Sequence, residues 1–257
     1  MGHTSSKSQV RVYLSTTSTT QVSPFDPTCL TVYNPSPFSK FRLGSAADGG
    51  YVIVDLPCKY DLLLSAGVGG DISFEIDFCN KYHVPCVAHD GTVEKLPATH
   101  PNIQFVKKNI GPSESNSTTN LQHLLQSPVH NNVFLKMDIE GHEFDWLNAL
   151  PEALLQKCVQ IAIEFHSPKT RFHQQLFEKL NKTHYLVHFH NNNCTLDTEV
   201  FDGVLVPAVF ECTYVHKKFF QVPPGFNTEP LPTNLDHSNC SKRELYINYA
   251  PFVHSSK

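Results

Sequence analysis

The run from Val133 to Met137 restricts most sharply what this chain can become. It reads as a buried strand, and within three positions it gives way to Asp138, Glu140 and Gly141 before a helical pattern begins at Phe144. In an open parallel sheet, ligands bind beyond the carboxyl ends of the strands, so Asp138 stands where such a sheet would do its chemistry.

The rest of the chain repeats this unit. Tyr60 to Ala66 is a compact apolar strand followed by Gly67-Val68-Gly69-Gly70-Asp71. A helix then carries Ile72, Ile76, Cys79 and Tyr82 at helical spacing. Further strands are expected at 84–88, 103–106, 159–165 and 185–189, with helices at 121–126, 144–150 and 172–180. Such alternation implies a mostly parallel sheet with right-handed crossovers and helices on both faces. Upstream, Phe41 to Val54 reads as a hairpin turning at Asp48-Gly49. Downstream, Gly203 to Val206 and Val209 to Val215, interrupted by Pro207, read as an antiparallel excursion at a sheet edge. Residues 1–37 are expected to form a flexible arm, 38–220 a single domain, and 221–257 a proline-rich extension packed on that domain.

Composition narrows the partners. The net charge of −4 weighs against nucleic acid and anionic membrane, both of which reward a basic surface. No apolar run is long enough to span a bilayer, and the polar N-terminus does not read as a signal peptide. The eight cysteines form no C-x-x-C pair, which argues against a zinc ribbon or redox motif. Their even number and the sequons at Asn116, Asn181, Asn193 and Asn239 fit a Golgi lumen reached through a removed anchor; buried free cysteines in the cytoplasm fit equally. Oligomeric state is left open.

A glycine turn after the first strand lets a ligand approach the backbone. Asp90, ending the next strand, can accept hydrogen bonds from ribose. Gly67, Gly69, Gly70, Asp71, Asp90, Asn109, Ile110 and Asp138 would thus cradle one nucleoside-containing cofactor. The chain lacks G-x-G-x-x-G with a second mononucleotide half, a Walker loop, a G-x-S-x-G elbow and the second histidine of a zincin helix. These absences point to S-adenosylmethionine.

Five elements together resemble the FkbM-like and methyltransferase-like-24 group of S-adenosylmethionine-dependent methyltransferases. They are Arg42-x-Gly44 with Asp48-Gly49-Gly50-Tyr51-Val52, Ser65 to Asp71, His89-Asp90-Gly91-Thr92, Lys136 to Glu143, and His188 to Asn192 with Pro207 to Tyr214. Ser65 stands where the common Asp-x-Gly-x-x-Gly form has an acid. The resemblance implies a Rossmann-like class I α/β fold with a seven-stranded, mostly parallel sheet and an antiparallel edge strand. It also implies O-methylation of a sugar or glycan hydroxyl.

A sugar hydroxyl is a very weak acid, so its proton must be taken or its pKa lowered. One arrangement uses Mg or Mn on Asp138, Glu164 and His190, with His166 in reserve. The other uses His166 or His190 as general base beside Asp138. The plainer readings are a helix-capping Asp138, a Glu164 paired with Lys or Arg, and histidines that are ordinary polar residues in a chain holding 15. Glu140 and Glu143 are expected to stabilise the next helix through its dipole. Without an Asn/Asp-Pro-Pro-aromatic turn, a flipped base is a poor substrate. A small-molecule or protein O-methyltransferase and a non-catalytic glycan- or partner-binding module are the alternatives.

Overall fold

The computed structural model describes residues 24–255. The chain opens with a hairpin, β1 (Lys40–Leu43) and β2 (Tyr51–Val54), and then enters β3 (Leu62–Ala66) and α1 (Ser73–Tyr82). β4 (Cys86–His89) and β5 (Ile103–Val106) follow, then a short pair, β6 (Asn109–Ile110) and β7 (Thr118–Thr119), and α2 (Gln122–Gln126). Next come β8 (Val133–Met137), α3 (Glu143–Ala149), α4 (Glu152–Leu155), β9 (Cys158–His166) and α5 (Arg171–Thr183). β10 (His184–Asn191), a hairpin of β11 (Thr198–Phe201) and β12 (Val204–Pro207), and β13 (Val209–His216) complete the series.

Seven of these strands form one mixed sheet in the order β10-β13-β9-β8-β3-β4-β5. The strands from β9 to β5 pair in parallel, whereas β13 is antiparallel to both β9 and β10. The fold is therefore mixed α/β, and it corrects the expected edge: the antiparallel strand lies inside the sheet and β10 is outermost. Val204–Pro207, expected to belong to that excursion, pairs with Thr198–Phe201 in a separate hairpin. The physical reason is burial. β13 is almost wholly buried and needs neighbours on both sides, while β11 is largely exposed and suits a surface hairpin.

Side-chain alternation along β3 sends Leu62 and Leu64 to one face and Leu63 to the other. Phe74 and Phe78 of α1 cover the second face beside Phe134, and residues of α3 and α5, including Trp146 and Phe177, cover the first. The hairpin docks through Gln160, whose carboxamide accepts from Val54 N at 2.7 Å and donates to Val54 O at 3.0 Å. Thr213 Oγ1 adds a hydrogen bond to Val52 O. These bonds hold Tyr51 over the sheet.

Residues 1–23 of the expected arm lie outside the described residues, but Phe25, Leu30 and Val32 are buried in the main core. At the other end, Leu231, Ile247, Phe252 and Val253 join the same core. Among the described residues no helix is long and apolar enough to cross a membrane. Asn193 and Asn239 each donate two internal hydrogen bonds through Nδ2, which leaves no N–H to exchange for a glycan; Asn181 donates one and Asn116 is exposed.

Candidate active site

The loops that follow β3, β4 and β8 are tied together at the carboxyl end of the sheet. Gly67 N donates to His89 O and Asp138 N to Ala66 O, both at 2.9 Å. Gly67 has φ +75°, and a Cβ there would lie 1.6 Å from the Asp138 carbonyl oxygen, so only glycine permits this approach. Beside these loops a cavity of about 790 Å³ opens. Gly67, Gly69, Gly70, Asp71, Asp90, Asn109, Ile110 and Asp138 all line it, and Ser45 to Gly49 of the hairpin loop roof it except at Ala46.

Asp90 is engaged more fully than a free ribose acceptor would be. Its Oδ2 accepts from Val68 N at 3.1 Å and Gly69 N at 2.8 Å, and its Oδ1 from Thr92 N and Thr92 Oγ1 at 2.7 and 2.6 Å. All four lone-pair positions are thereby used, and these hydrogen bonds outweigh burial to hold the Asp90 carboxyl below its ordinary range. It braces the glycine loop.

Three participants escaped the sequence reading. Glu75 of α1 is fully buried and accepts from Ser65 Oγ at 2.6 Å, so a carboxylate reaches the position that Ser65 leaves without one. Lys136, buried within β8, donates to Gly67 O at 2.8 Å, stands 3.8 Å from Glu75 and lies 5.3 Å over the Tyr51 ring. Tyr51 donates its hydroxyl to Asp138 Oδ2 at 3.3 Å. A lysine inside an apolar strand was a visible signal, because burying it demands a partner. Glu75 gave none, and Tyr51 was visible only as part of the Asp48-Gly49-Gly50-Tyr51-Val52 element, with no role attached to it.

Asp138 lines the cavity, and its buried Oδ1 has no hydrogen-bond partner among the described residues. Burial raises its carboxyl above the ordinary range against the pull of Lys136 and His166. Its loop is strained: Glu140 has φ 56° and Gly141 φ 99°. Glu143 holds that strain, since its Oε1 accepts from Ile139 N at 3.2 Å, Gly141 N at 3.1 Å and His166 Nδ1 at 3.1 Å. Glu143 is thus a clamp on the loop, beyond the dipole role expected of it.

The expected metal set does not assemble, and the inserted strand explains why. Glu211 of β13 pairs with Glu164 on one side and His190 on the other, and Asp138 continues the row one residue beyond the Met137–Ile163 pair. Asp138 and His190 are consequently three strand spacings apart, about 14 Å. Among the described residues, ligand atoms instead converge within 4.8 Å in two other groups, Asp138 with Glu140 and His166, and Asp48 with Glu164 and Glu211.

Both histidines sit among carboxylates, and His190 Nε2 has no hydrogen-bond partner among the described residues. The His166 ring meets Glu143 through Nδ1 and Glu140 through Nε2, at 3.1 and 3.4 Å. Burial disfavours its charge, but these carboxylates outweigh burial and raise its pKa. His190 meets Glu211 at 3.3 Å and Glu244 at 3.6 Å, which overcome burial and lift its pKa to about 10. Both rings lie beside carboxylates that favour their charged form in this arrangement.

Glu164 and Glu211 are 3 % and 4 % exposed, and among the described residues no lysine or arginine pairs with either. Carboxamides hold them. Asn192 Nδ2 donates to Glu164 Oε1 at 2.7 Å, and Asn239 Nδ2 to Glu211 Oε1 at 2.7 Å and Asp48 Oδ1 at 2.8 Å. Burial, then the charges of Asp138 and Glu211, push Glu164 well above the usual carboxylate range.

Residues 32–191 match the family model for the methyltransferase FkbM domain. Comparisons with curated proteins and with solved structures find no match.

Proposed function

The chain belongs to the FkbM methyltransferase family, and from that premise we propose that it is an S-adenosylmethionine-dependent O-methyltransferase of Rossmann-like class I architecture, acting on a hydroxyl of a sugar or glycan. The observation that carries this reading is Asp138: it lines the cavity beside the glycine loop, its Oδ2 accepts from Tyr51, and its buried Oδ1 has no hydrogen-bond partner among the described residues. The cavity suits the cofactor, because Gly67 permits a close backbone approach and Asn109 and Ile110 offer a polar and an apolar edge for a nucleoside.

When bound, S-adenosylmethionine would supply an electrophilic sulfonium methyl. The glycine loop, braced by Asp90, would hold it; Asp71 and the hairpin loop would close over it. Asp138 would accept the proton of the acceptor hydroxyl, and its raised carboxyl pKa makes it a stronger base than an ordinary aspartate. Asp48, Glu164 and Asn192 place acceptors and donors on the side of Tyr51 where a sugar could hydrogen-bond.

The test is transfer of labelled methyl from S-adenosylmethionine to a panel of monosaccharides, glycosides, small phenols and peptides. Labelling of sugars is expected. Labelling confined to phenols or peptides would replace the acceptor class, and failure to bind the cofactor at millimolar concentration would favour a non-catalytic binding module. A second reading, assistance by Mg or Mn, is favoured by the convergence of Asp48, Glu164 and Glu211. It requires that EDTA abolish transfer and that added metal restore it; full activity in EDTA leaves Asp138 as the base.

A further inference from the structure

The strongest feature unused by methyl transfer is the junction between the end of β10 and the C-terminal extension. The Asn193 carboxamide clasps the Cys240 backbone, accepting from Cys240 N and donating to Cys240 O, both at 3.1 Å. Lys242 Nζ donates to Cys194 O, and a second bond from Asn193 reaches Lys242 O at 2.5 Å. This pairing sets the Cys194 and Cys240 side chains beside each other. Cys194 is exposed and Cys240 half-buried.

We propose that Cys194 and Cys240 form a regulatory or structural disulfide that staples the C-terminal extension to the end of β10. The two segments are already tied together by four side-chain-to-backbone hydrogen bonds from Asn193 and Lys242, so closure asks little rearrangement of either segment. The chemistry is thiol–disulfide exchange with a small disulfide oxidant such as glutathione disulfide. One cysteine thiolate, its proton released to water, attacks the oxidant and expels one thiolate, leaving a mixed disulfide. The other cysteine then displaces the second thiolate. Two cysteine thiols are oxidised, one oxidant disulfide is reduced to two thiols, and the Cys194–Cys240 bond forms.

The staple has a defined target. Asn239, next to Cys240, grips Asp48 and Glu211, while Asn192, two residues before Cys194, grips Glu164. A covalent bond between the two segments fixes both carboxamides over the acidic cluster. A second neighbouring thiol pair, Cys79 with Cys86, is buried between α1 and β4, where an oxidant has no access in the folded chain. It provides an internal control.

The experiment uses the full chain incubated with glutathione disulfide, then alkylated and mapped by non-reducing peptide mass spectrometry, with melting followed in parallel. The expected result is a linked pair of peptides carrying Cys194 and Cys240, lighter by two hydrogen atoms than the separate peptides. Tm should rise by about 5–10 °C relative to the reduced chain, because a long loop is closed. Cys194→Ser should abolish both signals, and Cys79→Ala should retain the linked peptides. Alkylation of both residues after oxidation, pairing of either with a different cysteine, or linkage without a rise in Tm would each overturn the proposal.

Discussion

Asp138→Asn separates holding the cofactor from moving a proton. The carboxamide keeps the shape of the side chain and an oxygen for the Tyr51 hydroxyl, which bonds Asp138 Oδ2 at 3.3 Å. The bonds that fix the cofactor loop belong to the Asp138 backbone: its N–H to Ala66 O, and its carbonyl packed against Gly67. What is lost is the capacity to accept a proton. A positioned general base contributes on the order of 10²- to 10⁴-fold, which at about 1.4 kcal/mol per decade is about 3–5 kcal/mol of barrier. kcat should therefore fall within that range in a labelled-methyl assay, while the Kd for S-adenosylmethionine in calorimetry moves little. Stability should move the other way. Burial raises the Asp138 carboxyl above 3.8, so its contribution to stability is fullest below the unfolded value and is lost as pH rises through the folded one. At neutral pH the ionised wild-type side chain is a cost that asparagine removes, and Tm of the variant should equal or exceed wild type, with the gap closing in acid. Undiminished kcat, or loss of cofactor affinity in parallel with kcat, would refute this division of labour.

Three further outcomes follow from the clamp, the counter-ion and the extension. Glu143→Ala leaves Ile139 N, Gly141 N and His166 Nδ1 without their shared acceptor and should cost about 2–4 kcal/mol in urea denaturation, with Glu143→Gln costing less because an oxygen remains. His190, lifted to about 10, contributes stability that is whole below its unfolded value of 6.5 and drains away as pH climbs toward 10. The wild-type chain should lose stability across that window at up to about 1.4 kcal/mol per pH unit, and a flat profile shared with His190→Asn would exclude the linkage. Ending the chain after residue 220 removes Leu231, Ile247 and Phe252 from the core and Asn239 and Glu244 from the acidic row; cooperative thermal unfolding should disappear, and a truncated chain that melts like wild type would show the extension to be dispensable.

Periodicity made most of the sheet legible. Leu62–Ala66 and Val133–Met137 are buried throughout, and only a strand in the middle of a two-sided sheet can use such runs. The polar ends of β3, β4 and β8 were legible for the same reason, since each stands where apolar patterning stops. Strand order was not, because burial says that a strand has neighbours without saying which. Val209–His216 carried a buried pattern but was read as an edge, and Glu211 was passed over with it. That single misplacement also joined Asp138 to His190, two residues that β13 keeps apart. Tyr51 was hidden differently. Its contact with Asp138 depends on how Gln160 docks the hairpin, a bond between positions 106 residues apart in sequence.

The inserted strand also explains why the site needs the chain beyond it. Without β13, Glu164 would border a parallel neighbour; with it, two buried carboxylates stand opposite each other, an arrangement that costs stability unless donors are supplied. No lysine or arginine among the described residues supplies them. The donors are His190 from near the end of β10, Asn192 just beyond that strand and Asn239 from the extension, and Glu244 of the extension completes the far side of His190. Replacing these carboxylates by apolar residues would relieve the burden more simply, so their retention beside Tyr51 and Asp138 is better explained by use than by packing. On the proposed function the acidic row would lie beside the acceptor; the C-terminal extension is the part of the fold that makes the row tolerable, and the junction of Cys194 with Cys240 lies where the two are joined.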